Sequence, residues 1–342
     1  MRAVVKAGVV ALAAMLAVGP VSSAVADDAD VQTQAVKEPV TVSVPVRTID
    51  TPGRTGQSGI LEMRMGRGAP FWVMLDTGSV GLRLWGGRPA AAMTSTRVTT
   101  LLDGARVPGL LGTSPMSIGG VTTTLDVPFQ LISTDSAYIQ QWKSRGVVGI
   151  LGIGVGTGAL TNPLVALPGT LGLRWSVHFD RSALSRGAGR GALILGAEPA
   201  TDADMHFQLP YIGENVNGAR LWNDHAADGC WKFGATPLRC VPTWFDSGFT
   251  VMRIKGREFT RIPQTSTGIV RPGTKVSLVA GSSAYVGHSF VAGRQGSKNQ
   301  TRIIPRGQST INTGNSFYFD YTVTYDVATG DLYLNDPSKK GH

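Results

Sequence analysis

Charge is scarce in this chain. Asp, Glu, Lys and Arg make up 16% of its 342 residues, against about 25% in an average soluble protein. That shortage argues against coiled coils and long helical arrays, which need many charged helix formers. Cysteine is scarcer still: only Cys230 and Cys240 are present, a poor metal site by themselves. The five histidines (His178, His206, His225, His288 and His342) fall in no H-E-x-x-H or comparable spacing, so no metal is expected. Beyond the N-terminus no stretch is long and apolar enough to span a bilayer. The net charge is +9, yet no basic run is denser than Lys339-Lys340. No aromatic-interleaved basic motif appears either, so nucleic-acid binding is not expected. A serine-hydrolase reading fails for want of a G-x-S-x-G or similar nucleophile setting.

What the chain has in quantity is turn formers. With 44 Gly and 19 Pro beside 42% hydrophobic residues, it reads as an ordered, turn-rich, mostly β protein. Its length suggests two domains or lobes. Strands never alternate regularly with long amphipathic helices, which disfavours a doubly wound parallel sheet. Gly149–Gly158 superficially suggests a dinucleotide loop. Its spacing is G-x-x-G-x-G, however, and no helix with an acidic residue about 20 positions on completes the unit. No cofactor is expected.

The first residues read as an export signal. Arg2 and Lys6 precede the apolar run Ala7 to Val18, and Ala24-Val25-Ala26 supplies a small-residue cleavage site. The expectation is a signal peptide over residues 1–26 and a short polar segment over 27–39. The protein would be secreted, either extracellular or associated with the cell envelope. Losing Arg2 and Lys6 would leave a net charge of about +7, a weak reason to expect adhesion to an anionic surface. In an oxidising compartment Cys230 and Cys240 are expected to pair, closing a short loop worth on the order of 2–3 kcal/mol.

Further along, Val40, Val42, Val44 and Val46 alternate as in a strand with one buried face. Phe71-Trp72-Val73-Met74-Leu75 is a short apolar run ending at Asp76 and Gly78, which predicts a buried strand entering a tight turn. More strands are predicted over 109–118, 121–132 and 191–195, and short helices around 137–143, 162–167 and 258–262. Residues 181–190 read as a hairpin loop and 197–204 as a linker. Residues 316–334 read as a hairpin turning at Ala328-Thr329-Gly330-Asp331.

The strongest signal is a pair of turns. Met74-Leu75-Asp76-Thr77-Gly78-Ser79 lies in the first half, and Trp244-Phe245-Asp246-Ser247-Gly248 in the second. In each, two large apolar residues precede Asp, a hydroxyl residue and Gly. Alone, either is an ordinary turn. Together they suit acid–base activation of water, because two adjacent carboxylates share one proton, one acting as base and the other as acid. The proton cannot be assigned to one Asp from the sequence.

Other segments fall in a telling order. Val107-Pro108-Gly109-Leu110-Leu111-Gly112 is followed by Ser117-Ile118-Gly119-Gly120-Val121, Val148-Gly149-Ile150-Leu151-Gly152-Ile153-Gly154 and Gly191-Ala192-Leu193-Ile194-Leu195-Gly196. Thr313-Gly314-Asn315-Ser316-Phe317 and Tyr321-Thr322-Val323-Thr324-Tyr325-Asp326 close the series. With the two Asp turns, these resemble the bilobal pepsin-like aspartic peptidases, in a divergent secreted member of bacterial type. The resemblance covers nearly all of the chain after the export signal. It implies a mostly β fold of two barrel-like lobes, 40–200 and 201–342, with the active site between them. It also implies Asp76 and Asp246 as catalytic, with Thr77, Gly78, Ser79, Ser247 and Gly248 supporting the dyad. Thr77 and Ser247 would bridge the lobes, and Ser79 would donate to Asp76. A substrate flap would have its tip at Leu102, Asp103 and Gly104. The small loop closed by Cys230 and Cys240 matches a disulfide such peptidases commonly carry. The implied partner is an extended polypeptide substrate bound by a monomer.

Three positions depart from the family. Leu102 stands where the flap usually has Tyr, Arg83 where a Trp usually meets that Tyr, and Phe249 where a hydroxyl would donate to the second Asp. Loss of that donor is expected to raise the pKa of Asp246. Lys37 is the only lysine in the short segment before the first strand, so a zymogen of the usual kind is not expected. Two other readings remain open on the sequence: an inactive pepsin-fold binding or inhibitor protein, and a structural envelope protein.

Overall fold

The Gly-punctuated apolar runs of the sequence become short strands joined by tight turns. The computed structural model describes residues 41–86, 91–102, 104–180, 188–198, 202–280, 287–297 and 299–339. The export signal, the segment 27–39, flap residue Asp103 and loop residues 181–187 lie outside them. The chain begins with β1 (Val42–Asp50), β2 (Gln57–Met65), β3 (Phe71–Asp76) and β4 (Val80–Leu84). A long hairpin of β5 (Ala92–Leu102) and β6 (Ala105–Ser114) follows. Then come β7 (Met116–Ile118), β8 (Val121–Thr122), β9 (Val127–Ile132), α1 (Ala137–Lys143) and β10 (Val147–Ile153). The first half ends with β11 (Arg174–Phe179) and β12 (Ala188–Leu195).

The second half starts with β13 (Met205–Gln208), β14 (Tyr211–Glu214), β15 (Arg220–Trp222), β16 (Ala227–Phe233) and β17 (Arg239–Trp244). It continues with β18 (Met252–Lys255), β19 (Lys275–Ala280), β20 (His288–Val291), β21 (Thr301–Ile304) and β22 (Thr310–Asn312). It closes with α2 (Ser316–Asp320), β23 (Thr322–Asp326) and β24 (Asp331–Asn335). The segments 162–167 and 258–262 are short 3-10 turns, Pro163–Ala166 and Arg257–Arg261.

The structure corrects the hairpin expected over 316–334. Its strands are β23 and β24, whereas Ser316–Asp320 is helical. Phe317, Tyr318 and Phe319 are all buried there. A helical turn can bury three consecutive aromatics in one core, whereas a strand would send the middle one to the opposite face.

The topology repeats itself. β3 runs parallel to β10, and the chain returns antiparallel to β10 as β4 on its other side. In the second half β17 runs parallel to β22, and the chain returns as β18 on the far side of β22. Each Asp turn therefore sits at the mouth of the same three-strand arrangement. Residues 38–342 form one compact unit. One large sheet crosses residue 200, because β23 pairs with β11 while β24 joins β23 to β13. Its core centres on fully buried Trp175, Phe129, Phe179, Trp231, Phe245 and Phe317. Cys230 and Cys240 face each other across the β16–β17 hairpin and are disulfide-bonded.

Candidate active site

The continuous apolar run that forms β3 buries Val73 and Leu75 and ends by presenting Asp76, 8% exposed. β17 and Phe245 do the same for Asp246, 7% exposed. The turns interlock. The Thr77 amide donates to Ser247 Oγ and the Ser247 amide donates to Thr77 Oγ1, each over 2.9 Å. Ser247 Oγ donates on to the Leu75 carbonyl and Thr77 Oγ1 to the Phe245 carbonyl. Below, Tyr318 and Tyr325 donate to the Phe245 carbonyl over 3.0 and 3.1 Å. Burial raises the pKa of both tyrosines, which keeps them neutral donors.

Gly is required in both turns by close approach. A Cβ on Gly78 would lie 2.3 Å from Asp246 Cγ, and one on Gly248 would lie 2.4 Å from Asp76 Oδ1. Each amide also donates to its own carboxylate, Gly78 to Asp76 over 2.8 Å and Gly248 to Asp246 over 2.9 Å. Each carboxyl packs against the Gly of the opposite turn, and the charge of Asp76 is felt at Asp246. The pKa of Asp246 is pushed up to about 7, first by burial and then by the charge of Asp76.

Two of the departures look different in three dimensions. Phe249 does not leave Asp246 short of a donor, because Asn312 Nδ2 donates to Asp246 Oδ2 over 2.6 Å. That bond lowers the pKa, so the rise comes from burial and Asp76 and not from a missing donor. Phe249 itself is stacked under two guanidiniums, Arg253 at 3.7 Å and Arg54 at 4.8 Å. Arg83 is no mere gap where a Trp would stand. It is 4% exposed, donates to Ser79 Oγ and to the Leu101 carbonyl, and reaches within 3.9 Å of Asp76 Oδ2. Ser79 in turn donates to Asp76 Oδ2. Burial draws the Arg83 pKa down, and the charge of Asp76 opposes that.

The cleft holds about 730 Å³ and both Asp side chains line it. Leu102 and Gly104, at the tip of the β5–β6 hairpin, line it too. Leu102 is 5% exposed and belongs to a buried apolar cluster that also holds Trp85, Ile60 and Met74. Sequence reading missed two further lining residues, Asp224 and His225. Asp224 Oδ2 accepts from the amides of Val155 and Gly156, and burial lifts its pKa to about 7. His225 stacks on Trp244 with ring centroids 3.7 Å apart, and burial lowers its pKa. Neither carried a sequence signal, since Asn223-Asp224-His225 reads as an ordinary polar turn. Among the described residues, no three His, Cys, Asp or Glu side chains gather as a metal site.

The fold is similar to that of a known enzyme. The aspartic proteinase from Irpex lacteus superposes with a TM-score of 0.62, covering 88% of this chain and 98% of that one at 18% identity. The chain has the mostly β, bilobal pepsin-like fold. No protein-family model and no curated protein sequence matches it.

Proposed function

We propose that this chain is an aspartic endopeptidase, exported through its N-terminal signal, that hydrolyses extended polypeptides with water held between Asp76 and Asp246. The observation that carries the reading is the closure of two half-sites on each other. Thr77 and Ser247 exchange hydrogen bonds while each Gly packs on the opposite Asp. Such a pair binds one proton and one water. The positive Arg83 beside Asp76 favours negative charge on that side, and burial together with the charge of Asp76 raises the pKa of Asp246, so in this reading the shared proton is assigned to Asp246. Asp76 then takes a proton from the water as it attacks the peptide carbonyl. Asp246 donates its proton to the carbonyl oxygen, giving a tetrahedral diol. Collapse of the diol passes the proton from Asp76 to the leaving amine, breaks the C–N bond and returns a hydroxyl proton to Asp246, leaving a carboxylic acid and a free amine. Because Asp246 holds its proton to about pH 7, the optimum should be less acidic than pepsin's. An optimum below about pH 3 would contradict this.

The test is cleavage of an unfolded protein by the purified chain across about pH 3 to 7. An Asp246→Asn variant and a statine-type transition-state analogue run alongside. Loss of cleavage in both controls supports the dyad. A second reading, an inactive binding protein, is favoured by the flap tip: Leu102 packs inward and offers no hydroxyl to a substrate. No cleavage at any pH by a folded protein would select it. Export is tested by N-terminal sequencing of protein from the medium, with Asp27 expected first. The expected monomer is tested by sedimentation.

A further inference from the structure

Beneath the β5–β6 hairpin two buried polar side chains stand side by side. β4 runs parallel to β9, and their register sets Arg83 opposite Gln130. Residues opposite each other on paired strands point to the same face. Gln130 is fully buried and Arg83 nearly so. Buried polar groups take hydrogen-bond partners, and both of these side chains reach the hairpin. Gln130 Nε2 donates to the Val98 carbonyl on β5 over 3.0 Å and to the Val107 carbonyl on β6 over 2.9 Å. Its Oε1 accepts from Thr100 Oγ1 over 2.5 Å. One side chain therefore ties both strands of the hairpin to β9. Gly109 makes room for it, since a Cβ there would lie 2.8 Å from Gln130 Cγ.

The hairpin leaves the sheet at Gly109, whose partner Ile132 is the last residue of β9. Past that point Thr100, Leu101 and Leu102 line the cleft. There Arg83 Nη1 donates to the Leu101 carbonyl over 2.8 Å, and Nη2 donates to Ser79 Oγ, the hydroxyl that bonds Asp76. One planar guanidinium holds the hairpin on one side and the first Asp turn on the other. Leu102, one residue on, is buried in the apolar cluster that holds Met74 and Ile150. Segments that swing open are drawn from those with few buried contacts. This hairpin instead has the carbonyls of Val98, Leu101 and Val107 each held by a buried donor.

Resting on the reading of this cleft as a peptide site, we propose that Arg83 and Gln130 are positioning residues that hold the flap in its working place before substrate binds. Gln130 fixes the root of the hairpin, and Arg83 sets the position of Leu101 relative to Asp76. A peptide then meets a preset slot, and ordering the hairpin costs little of its binding energy.

The test is hydrogen exchange, read by mass spectrometry on the full-length chain, with and without a statine-type analogue. The β14–β15 hairpin is the internal comparison, because it forms a two-stranded sheet of its own. In the free chain the amides paired between β5 and β6 should exchange at least about tenfold more slowly than those of β14–β15, and the analogue should slow them by less than about tenfold. Gln130→Met and Arg83→Lys should each speed that exchange while the amides between β1 and β12 keep their rate, which marks a folded chain. In cleavage, Gln130→Met should raise KM about tenfold with kcat held within about threefold, since it removes preorganisation and leaves the dyad alone. Arg83→Lys keeps the charge beside Asp76 but not the fork, so KM should rise while the pH profile keeps its shape. Where a variant loses the β1–β12 protection as well, the exchange of the unaltered chain decides. Less protection than stated in the free chain, or a larger slowing by the analogue, would overturn the inference. Exchange unchanged in a folded variant would overturn the assignment of that residue. A protected hairpin in a chain that cleaves nothing would sink the peptidase reading and leave the hold on the hairpin standing.

Discussion

The two half-sites share one backbone plan and solve one problem differently. In the first, Ile150 on the central strand lies opposite Met74 and Arg83. In the second, Asn312 lies opposite Trp244 and Arg253 in the same register. The third residue after each Asp is Ser79 in one loop and Phe249 in the other, and the seventh is Arg83 or Arg253. Where the loop supplies a hydroxyl, the central strand is apolar and Arg83 turns in towards its Asp. Where the loop supplies Phe249, the central strand supplies the donor from Asn312, and Arg253 stacks on the ring instead. A carboxylate needs its acceptor sites filled, but either strand of the motif can fill them. The exchange also separates the charges. The first half-site gathers a guanidinium beside Asp76, while the second lays its guanidinium over the Phe249 ring.

The comparison would break most visibly if either carboxylate proved dispensable. Asp76→Asn and Asp246→Asn should each cut kcat by about 10⁴-fold or more with the fold intact. Near-wild-type turnover from one of them would mean the half-sites do not act as a pair. Next in size is Arg83→Met, which removes the cation from the first half-site only. It should lower kcat by roughly ten- to a hundredfold and move the acid limb of the pH profile upward. A profile that keeps its shape would make Arg83 a packing residue.

A smaller effect should come from making the second half-site resemble the first. Asn312→Ile removes the donor to Asp246, and its basic limb should move up by about one pH unit. Adding Phe249→Ser to that variant should bring the limb back. Failure of this rescue would deny the equivalence of Ser79 and Phe249.

The smallest expected effect is on stability. Asp224 and Asp246 have pKa values raised to about 7 in the folded chain, chiefly by burial. Below about pH 4 both folded and unfolded chains hold these protons. Between there and pH 7 only the folded chain does, so stability falls as pH rises. The melting temperature should drop by several degrees over that range, and less so in Asp224→Asn. A melting temperature that climbs from pH 4 to 7 would contradict the burial argument.

Much of the fold was legible in local patterns. The expected helix over 137–143 is α1, where Ser136 caps the first turn and Ile139 and Trp142 face the core. The mostly β class followed from frequent Gly and Pro and from apolar runs too short for helices. The helix of α2 was hidden because its aromatic residues also suit a strand, and only their common burial decides between the two. The two Asp turns stood out because each is contiguous and preceded by an apolar strand.

Contiguous chemistry was thus determined by the sequence alone: two Asp turns, the Gly each needs, a β-rich chain and a close pair of cysteines. What only tertiary structure decided was which distant residues complete those turns. Asn312 is 66 residues from Asp246, and Asp224 holds amides almost 70 residues away. Arg83 lies near its Asp in sequence, yet its direction depends on the flap strand whose carbonyl it meets. A hydrogen bond or ion pair depends on distance in space, and sheet register sets that distance across loops that leave no periodic trace in the chain.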